Sequence, residues 1–139
     1  MERRTLLTFA AGLVLSGCTT PDKSPPASAL KPLTGTLAYR QRIAVPFDTV
    51  AHVRLVDVSR ADAASNLLAE QRFRTEGRQV PLPFTLMYDP KWIDPRMSYA
   101  IEADLRAGDR VLFRTTTRHS VLTRAAPEDR VEILLEQMS

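Results

Sequence analysis

Beyond residue 33, apolar and polar residues alternate with the two-residue period of β-strands. Segment 78–88 shows this period most clearly, because Pro81 and Pro83 fall on the face opposite to its apolar residues. A proline cannot donate to a strand ladder, and amides two residues apart point to the same side. The segment is therefore predicted to be an edge strand with one unpaired side. Its apolar face consists of Val80, Leu82, Phe84 and Leu86.

Further strands are predicted wherever the alternation recurs. In segment 50–58 the period is broken, because Val56 and Val58 fall on the face opposite to Leu55. Either both faces are partly covered there, or a β-bulge near Val56 shifts the register. The other predicted strands are 37–45, 67–74, 97–106, 111–115 and 131–136.

One short helical turn is predicted between the strands. Asp89 can cap it, Pro90 suits its first position, and Pro95 ends it. Trp92 and Ile93 lie within this turn, and we expect both to close one end of the core.

These patterns predict an all-β fold, either a small barrel or a β-sandwich. The preferred prediction is an antiparallel β-sandwich of about seven to eight strands with one short helical turn. An alternating row buries only one face, so it must pack against a second sheet. Turns at 76–77 and 107–109 join neighbouring strands. The chain is predicted to comprise a signal peptide (1–17), an extended tether (18–33) and the sandwich domain (34–139).

Residues 1–17 have the three zones of an export signal. Arg3 and Arg4 give a charged start, 5–15 is mostly apolar, and small residues precede Cys18. The apolar zone has about eleven residues, whereas a helix that spans a membrane needs roughly twenty. We therefore predict an export signal and not a transmembrane helix.

The run Leu15-Ser16-Gly17-Cys18 resembles the lipobox of bacterial lipoproteins. The resemblance implies cleavage between Gly17 and Cys18 and attachment of a diacylglycerol to the Cys18 thiol, which anchors the chain in a membrane. The paired arginines near the start also resemble a twin-arginine motif, so Sec and twin-arginine export both stay open.

The segment 19–32 contains four prolines and no apolar period, which is typical of an extended tether.

Cys18 is the only cysteine, so no disulfide can form within the lipidated chain. Removal of residues 1–17 lowers the formal charge from +3 to +2, because Glu2, Arg3 and Arg4 leave together. The remaining arginines are interspersed with acids, so we predict no nucleic-acid partner.

Candidate catalytic groups are sparse, and we predict no enzyme, no catalytic residue and no cofactor. Neither histidine has a metal-ligand spacing, and neither serine has the context of a nucleophile elbow. The candidates considered are His52, His119, Ser59 and Ser120.

Three further groups of polar residues are predicted to have no catalytic or ligand-binding role. Asp57, Ser59 and Asp62 could offer oxygen ligands to calcium, but they lack the other residues of a calcium loop and are common in turns, so we predict no metal site. The acid pairs should be solvated on outward strand faces. These pairs are Glu102/Asp104 and Glu132/Glu136. A possible basic strip has few exposed aromatic residues. It comprises Arg40, Arg42, Arg72 and Arg74.

Several segments together resemble the family of YbaY-like and YscW-like envelope lipoproteins, over about residues 35–137. The family's "LxDVSxAD" segment is similar to residues 53–62, and its proline-marked strand to residues 80–84. The remaining similar segments are 35–40, 88–95, 99–101 and 121–123.

This resemblance implies a β-sandwich lipoprotein of the envelope. Members of the YscW-like branch act as pilotins, which help a secretin to reach and assemble in the outer membrane, so a secretin-like partner is implied here. Thr19 replaces the aspartate that retains enteric lipoproteins at the inner membrane, which favours an outer-membrane anchor with the domain facing the periplasm. The alternative is a periplasmic module that binds a small ligand or inhibits a hydrolase.

Three leucines fall on the outward faces of the predicted strands. They could form an apolar contact patch, although packing between the sheets is the preferred interpretation. These residues are Leu68, Leu112 and Leu134.

Overall fold

The computed structural model describes residues 29–139, which fold into two β-sheets with a single 3₁₀ turn in this part of the chain. The predicted all-β sandwich is confirmed. The described strands are β1 (Lys31–Ala38), β2 (Val50–Asp57), β3 (Asn66–Arg74), β4 (Leu82–Tyr88), β5 (Tyr99–Ala107), β6 (Arg110–Arg114), β7 (His119–Val121), β8 (Arg130–Leu134) and β9 (Glu136–Gln137). The predicted signal peptide with Gly17, the predicted lipidation site Cys18 and residues 19–28 of the predicted tether lie outside the described residues.

The smaller sheet has the order β4-β1-β8, and the larger one has the order β3-β2-β5-β6-β9, with β7 also paired to β5. One pairing departs from the predicted antiparallel arrangement, because β1 and β8 run parallel. The end of the chain joins the two sheets. The Leu135 N–H donates to the Ala38 carbonyl at 2.8 Å, and β9 then pairs with β6.

The first strand begins earlier than its pattern predicted. The expectation of a strand over 37–45 is wrong, since β1 spans Lys31–Ala38 and residues 39–49 form a loop. Pro32 made the start of β1 resemble a tether. Two residues later, the Thr34 N–H points to the same side of β1 as the Pro32 nitrogen. It donates to the carbonyl oxygen of Asp129, the residue just before β8 begins. Pro32 therefore faces a side where β8 has not yet started, and its missing N–H costs no ladder bond.

The edge strand is confirmed, because β4 has only β1 as a neighbour in its sheet. Leu82, Phe84 and Leu86 are buried, while Pro83 on the opposite face is exposed. The turn that leads into this strand is also as predicted. Glu76 and Gly77 both have positive φ, and the turn carries the chain from β3 in the larger sheet to β4 in the smaller one.

The core lies between the sheets and consists of the alternating residues of both. Tyr39 stacks on Phe113 with ring centroids 4.1 Å apart, which ties the end of β1 to β6. Gly35 is enclosed within the smaller sheet. A Cβ at this position would lie 2.3 Å from the Val131 carbonyl oxygen and 2.6 Å from Cζ of Phe84.

Two β-bulges interrupt the strict alternation of inward and outward side chains. The β2–β3 register shifts between Leu55 and Val56, which confirms the bulge predicted near Val56 and leaves Leu68 as the extra residue. A second shift, opposite Leu105 and Arg106, leaves Leu112 as the extra residue of β6. Both leucines are partly buried against the core, as the preferred interpretation held. The two-residue period puts Leu67 on the same face as Ala69 and Phe73, but Leu67 is 52% exposed because the bulge turns it outward.

The helical turn is confirmed as a 3₁₀ helix over Pro90–Trp92, capped by the Asp89 side chain. Ile93 packs against the core as expected. The expectation for Trp92 is wrong, because its side chain is 64% exposed and lies beside the Lys91 ammonium group, 5.2 Å from the ring centroid. A turn this short presents only one side to the sandwich, and Ile93 occupies it. Among residues 29–139, no helix is long and apolar enough to cross a membrane.

Candidate functional site

Charged and polar side chains form a network of close pairs, in two groups, on the outer face of the larger sheet. His52 Nε2 lies 2.7 Å from Glu70 Oε2 on the neighbouring strand. Arg54 lies 3.7 Å from Glu102 and 3.5 Å from Asp104. These pairs follow from the register, since residues on adjacent strands that face the same side meet across the ladder.

Asp104 is the most buried member of this network, only 4% exposed. The expectation that the pair Glu102/Asp104 is solvated is therefore wrong for Asp104. Arg106 Nε donates to Asp104 Oδ1 at 3.1 Å, and the Arg54 guanidinium covers the other oxygen. A carboxylate on a strand face is shielded when long arginine side chains from neighbouring positions lie across it.

His52 lies on the outer face of β2, yet only 12% of its side chain is accessible. The hydrogen bond with His52 lowers the pKa of Glu70, and the nearby Arg72 adds to this effect. Ser59 follows the end of β2, seven residues along an extended chain from His52. This separation corresponds to roughly 20 Å, so the structure does not bring these two candidates together.

The Asp57, Ser59 and Asp62 segment forms a turn. The Ser59 N–H and hydroxyl both donate to Asp57 Oδ1, and the Ser59 hydroxyl accepts from the Ser98 N–H at 2.9 Å. These bonds join the end of β2 to the start of β5, which is a structural role for both side chains. In the described part of the chain, no three His, Cys, Asp or Glu residues lie close enough to hold a metal ion.

The predicted basic strip does not assemble. Arg72 and Arg74 lie on β3, at one edge of the larger sheet. Arg40 follows β1 and lies beside β9, at the opposite edge of that sheet. The two pairs of arginines are separated because three strands, β2, β5 and β6, lie between β3 and β9 in the sheet order.

A different group of arginines does meet, in a cleft that the sequence patterns did not indicate. β6 ends at Arg114 and β7 begins at His119, and both pair with β5. Thr115 still bonds to Ala103 of β5, whereas residues 116–118 leave the ladder. This loop forms one wall, and the loop over residues 58–65 forms the other.

We call this site the arginine cleft, and its volume is about 330 Å³. Glu102 on β5 lies at its floor and is the one carboxylate that lines it. Four arginines also line the cleft: Arg54, Arg60, Arg114 and Arg118. The signal that could have revealed part of the site is the run Arg114-Thr-Thr-Thr-Arg118, where two arginines flank three hydroxyl groups.

A second, smaller groove is mostly apolar, with a volume of about 170 Å³. It lies beside β6, and its walls include Ile43, Leu112 and Met138. Ile43 is 47% exposed, and Phe47 on the same loop is 72% exposed. This loop (residues 39–49) leaves β1 at the end opposite to Lys31.

Comparisons with known proteins agree with the resemblance seen in the sequence. A family model described as "Type III secretion system lipoprotein chaperone (YscW)" matches residues 28–134. The uncharacterized lipoprotein YbaY of Escherichia coli (strain K12) is 37% identical over 97 residues, which are 70% of this chain and 51% of that protein. The chain thus spans about half the length of this curated relative.

A solved structure also matches the fold. It is an alternative pilotin from the type II secretion system of Vibrio cholerae, with a TM-score of 0.76 and 37% sequence identity. The match covers 79% of this chain and 98% of the pilotin chain.

Proposed function

Because the chain belongs to the YscW family of type III secretion system lipoprotein chaperones, we propose that it is a non-enzymatic, pilotin-like lipoprotein that binds an outer-membrane secretin. The observation that carries this proposal is the match to the Vibrio cholerae pilotin, which covers 98% of that chain at 37% identity. A fold alone does not specify a task. A match at this identity over the whole pilotin chain supports a shared task as well as a shared fold.

The side-chain pairing supports a role without catalysis. The ring nitrogen of His52 is engaged by Glu70, and the Ser59 hydroxyl is engaged by Asp57. Asp104 is enclosed by two arginines. A general base must reach a substrate proton, and these groups are instead held in structural contacts.

The proposed anchor is a lipid on Cys18, with cleavage after Gly17. Residues 19–30 would then link the bilayer to β1, and at roughly 3 Å per residue they reach at most about 40 Å. Thr19 supports the outer membrane as the site of anchoring. The sandwich would therefore lie in the periplasm, within reach of a secretin that has yet to assemble.

The distal loop, which we define as residues 39–49, is the proposed contact for the secretin. β1 has eight residues and is therefore about 26 Å long, so this loop lies that far from the end where the anchor enters. Ile43 and Phe47 are exposed, while Val45 between them is 6% exposed and holds the loop on the core. Apolar side chains displayed on a fixed loop are typical of a protein contact.

Site-specific photocrosslinking in cells tests this proposal. A photoreactive residue at position 47 should give an adduct with the secretin. The matched control is position 132, because Glu132 is also exposed but lies on β8. If position 47 gives no secretin adduct while the protein is present and membrane-bound, or if both positions react equally, the distal loop is not the contact.

A further inference from the structure

We propose that the arginine cleft binds a phosphate group. Three of its arginines, Arg60, Arg114 and Arg118, make no ion pair with any of residues 29–139. Arg54 is shared between Glu102 and Asp104 at 3.7 and 3.5 Å, which are long distances for such contacts. The positive charges of arginines around one cleft repel one another. An anion bound between them makes the electrostatic energy of this arrangement favourable.

The hydrogen-bonding groups of the cleft also suit a phosphate. Each guanidinium offers a planar fork of N–H donors that matches phosphate oxygens. The hydroxyls of Thr116 and Thr117 stand between Arg114 and Arg118 on the same loop and add further donors. The Nε atom of Arg54 is buried and has no acceptor among the described residues. A buried donor without an acceptor is unusual in folded proteins, and an anion bound beside Arg54 would supply one.

The charge and the size of the cleft favour phosphate over a peptide carboxylate. A single carboxylate brings one negative charge, whereas a phosphate monoester brings about 1.5 to 2 at neutral pH, which better matches three unpaired arginines. Four of the six apolar residues that line the cleft are alanines: Ala61, Ala63, Ala100 and Ala103. They offer little surface to hold the side chains of a bound peptide segment.

The phosphate could belong to a phospholipid headgroup or to a soluble phosphate ester. The cleft lies near the end of β2 and the start of β5, and Lys31 marks the same end of the sandwich. The chain enters the domain at that end, so the cleft is on the side nearer to the proposed anchor. Both sources present the same chemistry to the arginines, and the experiment below separates them.

The test measures the melting temperature of the full-length protein in neutral detergent micelles. Titration with inorganic phosphate, at constant ionic strength set with sodium chloride, should raise the melting temperature in a saturable manner. By mass action, a phosphate concentration ten times Kd should raise the melting temperature by about 5 °C for a domain of this size. A parallel titration uses micelles doped with phosphatidic acid, whose headgroup is a phosphate monoester, with phosphatidylcholine as the zwitterionic comparison.

The double variant R114Q/R118Q should lose the rise. The matched control R72Q/R74Q removes the same charge from the same sheet, outside the cleft, and should keep it. A rise of the melting temperature with inorganic phosphate identifies a soluble phosphate ester as the ligand class. A rise only with phosphatidic acid identifies a lipid headgroup. The proposal is overturned if neither titrant acts, if chloride alone acts equally, or if the cleft variant responds like the control. None of these outcomes depends on secretin binding, so this proposal and the pilotin proposal fail separately.

Discussion

The side chain of Gln71 closes the unpaired edge that the prolines leave on β4. Its Oε1 atom accepts a hydrogen bond from the Thr85 N–H at 2.8 Å, between β3 of one sheet and β4 of the other. The Thr85 amide points to the same side as Pro83, two residues earlier, so no strand supplies its acceptor. A single side chain therefore links the two sheets at this edge.

Replacement of Gln71 by Ala should destabilise the domain by about 0.5–1.5 kcal/mol, because the Thr85 N–H loses its acceptor. Thermal unfolding measures the change as a loss of several degrees in Tm. Gln71→Glu keeps an acceptor oxygen and should remain closer to the wild type. Gln41→Ala, at an exposed position in the distal loop, is the matched control. Equal Tm values for Gln71→Ala and the control would show that this bond contributes nothing.

The close approach at Gly35 gives a second prediction. A methyl group there meets the Val131 carbonyl oxygen and the Phe84 ring, both at less than 3 Å. Gly35→Ala should therefore cost about 1–3 kcal/mol, which is the usual penalty of overpacking. Denaturant unfolding measures it as a lower midpoint with an unchanged slope. Thr36→Ala changes the next residue on the outward face and should have a small effect. A midpoint for Gly35→Ala equal to that of the control would contradict the packing described.

The buried carboxylate Asp104 should matter more than its partly exposed neighbour Glu102. Asp104→Ala leaves Arg54 and Arg106 close together without the anion that lies between them. Loss of one partner from a fully buried pair costs several kcal/mol, and partial exposure of the arginines reduces this to about 1–3 kcal/mol. Glu102→Ala removes a carboxylate whose side chain is 43% exposed and should cost less than about 1 kcal/mol. Chemical denaturation of both variants measures the difference, and the reverse order would refute this ranking.

Asp94 should titrate at an unusually low pH. Hydrogen bonds from the Arg96 side chain, and next from its backbone N–H, lower the pKa of Asp94 from 3.8 to about 2. Because the folded pKa is depressed, the contribution of this pair is complete above about pH 4 and is lost as the pH falls through 2. Carboxyl NMR titration measures the midpoint directly. Arg96→Ala should return it most of the way to 3.8, and a wild-type midpoint near 3.8 would show that the pair is not formed.

Local sequence patterns predicted the elements whose structure depends on residues adjacent in the sequence. The prolines of β4 marked an edge, and Asp89 with Pro90 marked the start of a turn, because each residue acts on its own backbone. The loop over 39–49 was missed, since Tyr39 and Val45 are buried like strand residues although the chain between them is irregular.

The arginine cleft and the burial of Asp104 could not be predicted from local patterns. Both depend on which strands become neighbours and in what register. Arg54 reaches Asp104 only because β2 pairs with β5, and Arg114 lies near Arg60 only because β5 and the loops beside it bring them together. The bulges at Leu68 and Leu112 likewise require partner strands, so a strict two-residue period placed these side chains on the wrong face.

The most direct test of the pilotin-like function is the location of the secretin in cells that produce the Cys18→Ala variant. Without the thiol, the chain should fold but lack its lipid, and it should leave the membrane fraction. We expect secretin multimers in the outer membrane to fall to the level seen in cells without the protein, while the wild-type chain restores them. If the multimers assemble in the outer membrane in all three strains, the protein does not act as a pilotin.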